Sequence, residues 1–204
     1  ISNSNESESN KDTPIEYIQL NLNEILFLLL FSVPSYNEVI LNNKTSNIII
    51  DLSIYEEETK ENYDKELLLK KIAMKSIELL LKFRVFCYFK LLGWTVKDGI
   101  KYGTDFVLYK NGPGKGHSKH TVMILYSGIN NILNSEGFKP NPTYTQILAT
   151  NRVSINANKH LLLCSINIKD DNIIESIRSQ PLGIFDKNLI SISHHSLKRW
   201  VPSN

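Results

Sequence analysis

At Gly93 the apolar residues of this chain change period, and that switch limits the folds open to it more than any other feature. Over 63–92 the residues Leu67, Leu68, Ile72, Ile77, Leu80, Leu81, Val85, Phe86 and Phe89 recur among charged positions, which suits one long helix or two joined ones, and Gly93 provides the stop. Beyond it the pattern becomes that of strands: 94–96, 106–109 and 121–126, separated by Asp98-Gly99 and by the Gly/Pro-rich stretch 111–116. A helix near 143–156, a strand over 161–168, a short helix near 172–179 and a last strand near 189–193 complete the expectation. Helices interleaved with strands in this order predict an α/β (α+β) architecture with a mixed sheet. No internal repeat is visible.

Upstream, Asn21 and Glu24 form an Asn-x-x-Glu variant of the capping box, and Leu22, Ile25, Leu26, Leu29 and Leu30 follow helical spacing, so a helix over 21–32 is expected. Pro34 stops it. The Asn-rich stretch 35–47 reads as a loop or insertion, and the β-branched run in 48–54 as a short strand. Residues 1–13 are mostly Ser, Asn, Glu and Lys without an apolar run, which fits a disordered leader rather than a signal peptide, and the first residue being Ile suggests a piece of a longer protein. The expected organisation is this leader, a helix-rich N-terminal unit over 14–75 with a polar insertion, and a C-terminal unit over 78–202.

Composition narrows the function. A chain of 204 residues that is 42% hydrophobic can bury a core, which excludes a wholly disordered protein. Its longest apolar run, 25–31, is far short of the roughly 20 residues a membrane-spanning helix needs, so no membrane partner is expected. The net charge of +2 is too small to drive nucleic-acid binding by bulk electrostatics, so any such function must come from a local site. Cys87 and Cys164 lie in apolar runs without the spacing of a zinc knuckle or redox pair, and read as buried thiols.

The stretch 101–120 carries the most chemistry. Strand alternation puts Phe106 and Leu108 on one face and Val107 and Tyr109 on the other, so Tyr109 ends its strand where a flexible loop begins, and His117 stands at the far end of that loop. Tyr and His so placed, with Lys nearby, make a metal-free acid/base set. Competing motifs fail on spacing. Gly114-Lys115 is followed by Gly116 rather than Ser or Thr, against a phosphate-binding loop, and no G-x-S-x-G elbow is present. His117-x-x-His120 could clip a metal with His160 or the pair His194-His195, yet no carboxylate or thiol is placed with it.

These residues join a wider pattern. The run 101–109, the loop to His117, the segment Arg152-Val153 with Lys159 seven residues after the Arg, and the ending Leu197-Lys198-Arg199-Trp200-Val201-Pro202 together resemble a catalytic subunit of the tRNA-splicing (tRNA-intron) endonuclease family, of the eukaryotic type assigned to the 5′ splice site. Phe83-Arg84-Val85-Phe86 leading to Gly93-Trp94-Thr95-Val96-Lys97 supports the resemblance, as does Tyr17-Ile18-Gln19-Leu20 before the first helix. It covers 78–202 well and 15–32 weakly. It implies the family's catalytic-domain fold in the C-terminal unit, and a triad of Tyr109, His117 and Lys159, with Tyr102 as a rival for the tyrosine that is placed second. It also implies a cation–π clamp on RNA made by Arg152 and Trp200, no cofactor, and a nuclear heterotetramer. Its partners would be precursor tRNA, a second catalytic subunit and structural subunits, with a homodimer open to the isolated chain.

The implied reaction needs three services: a base for the ribose 2′-proton, an acid for the leaving 5′-oxygen, and a cation for the charge that builds on the phosphoryl oxygens. It yields a 2′,3′-cyclic phosphate and a 5′-hydroxyl without metal. Histidine, with an ordinary pKa of about 6.5, suits the acid, and lysine the cation. Tyrosine is a poor base, since at an ordinary pKa of about 10 only about one molecule in 10³ is ionised at neutral pH, so orienting the 2′-hydroxyl is an equal role for it. Two alternatives stand beside this reading: a non-catalytic tRNA-binding or scaffolding subunit of the same fold, and a metal-dependent nuclease, for which Asp105 alone supplies no carboxylate pair.

Overall fold

The computed structural model describes residues 20–31, 39–41, 44–46, 65–128, 138–170 and 172–198. Helix α1 is Leu22–Phe31, followed by strands β1 (Val39–Leu41) and β2 (Lys44–Ser46), helices α2 (Lys65–Lys75) and α3 (Ile77–Leu91), and strands β3 (Thr95–Asp98), β4 (Phe106–Tyr109) and β5 (His120–Ser127). Helix α4 (Tyr144–Asn156), strand β6 (His160–Ile168), helix α5 (Asn172–Ser179) and strand β7 (Ile190–Leu197) follow.

Local chemistry accounts for the boundaries. Asn21 and Glu24 close the expected capping box: Glu24 N–H donates to Asn21 Oδ1 at 2.9 Å, and Asn21 N–H to Glu24 Oε2 at 3.0 Å. The run 63–92 is two helices because Ser76 takes an extended backbone and its hydroxyl accepts from Leu79 N–H, capping α3 just where Ser76 N–H closes α2 on Ile72 O. Gly93, at φ +84°, turns the chain out of α3 and into β3. Thr143 and Gln146 form a second, full capping box at the start of α4.

Strands β3 to β7 form one five-stranded sheet in chain order, antiparallel except between β5 and β6, whose connection contains α4. The mixed sheet and flanking helices agree with the architecture expected from the sequence. Two details differ. The stretch 35–47, expected as a loop, contains the small antiparallel pair of β1 and β2. The last strand reaches Leu197 rather than stopping near 193, because β7 pairs with β6 from Ile168↔Ile190 to Leu161↔Leu197, and its outer half, Ser193-His194-His195-Ser196, is an exposed edge with no apolar alternation to announce it. The expected leader and the strand within 48–54 lie outside the described residues.

The main core lies on one face of the sheet. Phe83, Phe86 and Phe89 of α3 are fully buried together with Leu108, Val122, Cys164, Ile166 and Ile190, and Leu26 of α1, Leu69 of α2 and Ile177 of α5 belong to the same cluster. Phe86 is its hub, with ring contacts to Phe27 at 6.0 Å, Phe83 at 6.4 Å and Phe106 at 6.1 Å. Arg84, also buried, donates its Nε–H to Ile184 O and lies 5.5 Å from the Phe185 ring, so its charge is met on both sides. Cys87 and Cys164 are buried free thiols, each pushed up to about 12 mainly by that burial, which leaves them unreactive at neutral pH. Among the described residues no helix is long and apolar enough to cross a membrane.

Candidate active site

The other face of the sheet, under α4, is built differently. Along β5 and β6 the residues Thr121, Met123 and Leu161 point away from the main core, and Val107 of β4 joins them. Polar side chains are buried among them: the Thr121 hydroxyl shares a 2.8 Å hydrogen bond with that of Ser154, and Asn151 and Lys159 are 8% and 7% exposed. Asn151 Oδ1 has no hydrogen-bond partner among the described residues. Such a face is wasteful for stability alone.

Sheet register sets what meets at its end. Leu108 stands opposite His120, and His120 beside His160. One residue further out, Lys119 N–H donates to Leu108 O at 2.9 Å and His160 N–H to Lys119 O at 3.1 Å, which brings Tyr109, Lys119 and Lys159 to the same end of three adjacent strands. By alternation with Val107 and Leu161, Tyr109 and Lys159 lie on the α4 face. Tyr109 is half-buried.

Lys159 is held tightly for a lysine. The chain leaves α4 through Ala157 and Asn158, the latter in a left-handed conformation at φ 55°, and Lys159 N–H donates to Ser154 O at 2.9 Å. Its ammonium donates to Ala157 O at 3.2 Å and lies 5.0 Å from the centre of the Tyr102 ring. Tyr102, weighed in the sequence only as a rival to Tyr109, thus packs against the lysine.

His117 belongs to the β4–β5 hairpin loop, which contains a 3-10 turn at Pro113–Lys115 and is exposed almost throughout. Gly116, at φ +156°, passes the chain from that turn to His117, in a region open to glycine and little else. Ser118, 5% exposed, anchors the loop beside the bond that closes the hairpin. The hairpin therefore returns His117 to the end of the sheet at which Tyr109 leaves β4. No hydrogen bond among the described residues links Tyr109, His117 and Lys159 to one another. Lys110, Lys115 and Lys119 are exposed on the same hairpin, so this end is locally basic although the chain is nearly neutral.

Arg152 is exposed on α4, seven residues before Lys159, and Trp200 lies outside the described residues. His120 and His160 stand at this end but on the opposite face of the sheet. They lie on the main-core face, their rings 5.8 Å apart, with Trp94 edge-on to His120 at 5.1 Å. Burial lowers the pKa of His120, and His160, Lys119 and His194 lower it further. Among the described residues no three His, Cys, Asp or Glu side chains are grouped so as to hold a metal ion. The polar set Thr121, Asn151 and Ser154 was not singled out from sequence. Its only signal is that Asn151 and Ser154 are three apart, one helical step, on an otherwise amphipathic helix.

Residues 79–175 match the model of the tRNA intron endonuclease catalytic C-terminal domain. The tRNA-splicing endonuclease subunit Sen2 of Gallus gallus is 33% identical over 122 residues, covering 59% of this chain and 25% of that protein. The probable tRNA-splicing endonuclease subunit sen2 of Schizosaccharomyces pombe is 30% identical over 142 residues, covering 62% and 33%. The tRNA-splicing endonuclease of Sulfurisphaera tokodaii is 35% identical over 81 residues, covering 40% and 39%. The chain thus spans about a quarter to two fifths of the length of these relatives.

Proposed function

We propose that the protein cleaves precursor tRNA at an intron junction, the 5′ splice site, as a catalytic subunit of a splicing endonuclease, a reading supported by the match of residues 79–175 to the tRNA intron endonuclease catalytic C-terminal domain. The observation that carries this reading is the meeting of Tyr109, the His117 loop and a buried Lys159 at one basic end of the sheet.

In the proposed reaction the substrate's own 2′-hydroxyl is the nucleophile. It attacks the adjacent phosphorus in line as the P–O5′ bond breaks, leaving a 2′,3′-cyclic phosphate and a 5′-hydroxyl. Tyr109 orients the 2′-hydroxyl and, as phenolate, takes its proton, becoming the neutral phenol. His117 as imidazolium delivers a proton to the departing 5′-oxygen, and its exposed loop lets it close on the RNA from the solvent side. The Lys159 ammonium stands beside the non-bridging oxygens, where negative charge grows in the transition state. Because its stem is already buried and its backbone tied to α4, little ordering is left to do when substrate binds. No step calls on a metal ion.

Arg152, exposed on the helix that leads to Lys159, and Trp200 are proposed to hold an unpaired base between guanidinium and indole planes, within this site or that of a neighbouring subunit. The proposed partners are a second catalytic subunit and structural subunits in a heterotetramer. The test is cleavage of precursor tRNA by the full assembly in EDTA. Cutting at the 5′ junction with cyclic-phosphate ends should persist with chelator and fall by about 10²–10⁴-fold in His117→Ala. Cleavage that needs Mg²⁺, or that ignores the histidine, contradicts the proposal.

A further inference from the structure

We infer that Tyr102 is a positioning residue for Lys159: its ring face, rather than its hydroxyl, fixes where the ammonium stands. This rests on the reading of Lys159 as the cation that faces the phosphoryl group, and deepens it. Two observations carry it. The first is contact: Lys159 Nζ lies 5.0 Å from the Tyr102 ring centre, within cation–π range, while one of its protons goes to Ala157 O. A carbonyl and a ring face together leave a buried lysine one open direction for an anion.

The second is the rigidity of the platform. Tyr102 ends a 3-10 turn, Ile100–Tyr102, whose every junction is tied. Asp98 Oδ1 accepts from Ile100 N–H at 2.8 Å, and Gly99 O accepts from Tyr102 N–H at 2.9 Å and from the Thr104 hydroxyl at 3.2 Å. Gly103, at φ +67°, closes the turn. At Gly99 a Cβ would fall 2.4 Å from Thr104 Oγ1 and 2.8 Å from Phe106 N, so the turn is packed too closely to admit any side chain there. A ring carried on a backbone tied this firmly can locate a flexible four-carbon chain, whose freedom would otherwise have to be lost in each catalytic cycle.

Cation–π attraction depends on the electron density of the ring face, whereas packing depends on its shape, and this separates the inference from a structural role. The experiment uses the full-length chain in its endonuclease assembly, with single-turnover cleavage of precursor tRNA as readout and thermal unfolding as control. Tyr102→Phe should cleave within about twofold of the parent. Tyr102→Leu should lose on the order of tenfold in rate with little change in KM. A series of progressively fluorinated phenylalanines at position 102, nearly constant in shape, should lose rate in step with falling cation affinity. In a Lys159→Ala background the same series should be flat.

A flat series in the parent, or a large loss in a folded Tyr102→Phe, overturns the inference while leaving the lysine's role standing. Full activity in Lys159→Ala overturns that role itself, and this proposal with it.

Discussion

The two faces of the sheet differ in how much they bury and in what they bury. Towards α3, Phe83, Phe86, Phe89, Phe106 and Leu108 interlock with Cys164 and Ile166, and Arg84, the one charge buried there among the described residues, is answered by a carbonyl and a ring. Towards α4, apolar Val107, Met123 and Leu161 share the space with Thr121, Ser154, Asn151 and Lys159. Polar burial of this kind costs free energy unless each group is met, and Asn151 Oδ1 is left unmet among the described residues. One face thus holds the fold together, while the other accepts polar groups next to the end where Tyr109 and Lys159 lie. On the proposed reading, stability and chemistry are divided between the two sides of β5 and β6.

Substitutions can break that contrast from either side. The largest effect is expected from Phe86→Ala, which empties the hub of the apolar face. Unfolding free energy should drop by about 3–5 kcal/mol by denaturant titration, while cleavage per folded molecule stays near the parent's. On the polar face, Thr121→Val or Ser154→Ala alone orphans a buried hydroxyl and should cost about 1–3 kcal/mol, but the double substitution, which removes both partners, should recover most of it. The smallest effect concerns His120, on the α3 face beside Trp94, His160, Lys119 and His194. Its folded pKa lies below the ordinary 6.5, so the unfolded chain takes up the proton first. Its contribution is therefore intact above about pH 6.5 and is lost as pH falls through the lower folded value. Urea midpoints measured from pH 7.5 to 5 should decline in the parent and decline less in His120→Gln.

Much of this was legible in the residues. The helix at 21–32 and the helix and strand positions from 63 to 179 followed from period and capping, because the Asn21–Glu24 cap and the alternation of 106–109 are local signals. The outer half of β7 was not, since an edge strand with one exposed run carries no alternation and is defined by its partner β6. The β1–β2 pair hid in an Asn-rich stretch because each strand is only three residues long, the apolar Val39–Leu41 against the polar Lys44–Ser46, too short for any alternation to show. Within the site, the spacing of Tyr109, His117 and Lys159 was visible, but their common location depends on the register of β4, β5 and β6, a long-range property. Tyr102 shows the limit most clearly. From spacing it was a competing tyrosine, and only the fold of its turn against Lys159 makes it a neighbour of the lysine.

The central proposal is that three side chains serve one phosphate. Its most direct test is a structure of the full assembly holding precursor tRNA blocked by a 2′-O-methyl group at the junction. The Tyr109 hydroxyl is expected at the 2′-oxygen, a His117 nitrogen within hydrogen-bond reach of the 5′-oxygen, and the Lys159 ammonium on a non-bridging oxygen, with the Tyr102 ring still beside it. A junction phosphate seated elsewhere, or one that His117 or Lys159 does not reach, would contradict it.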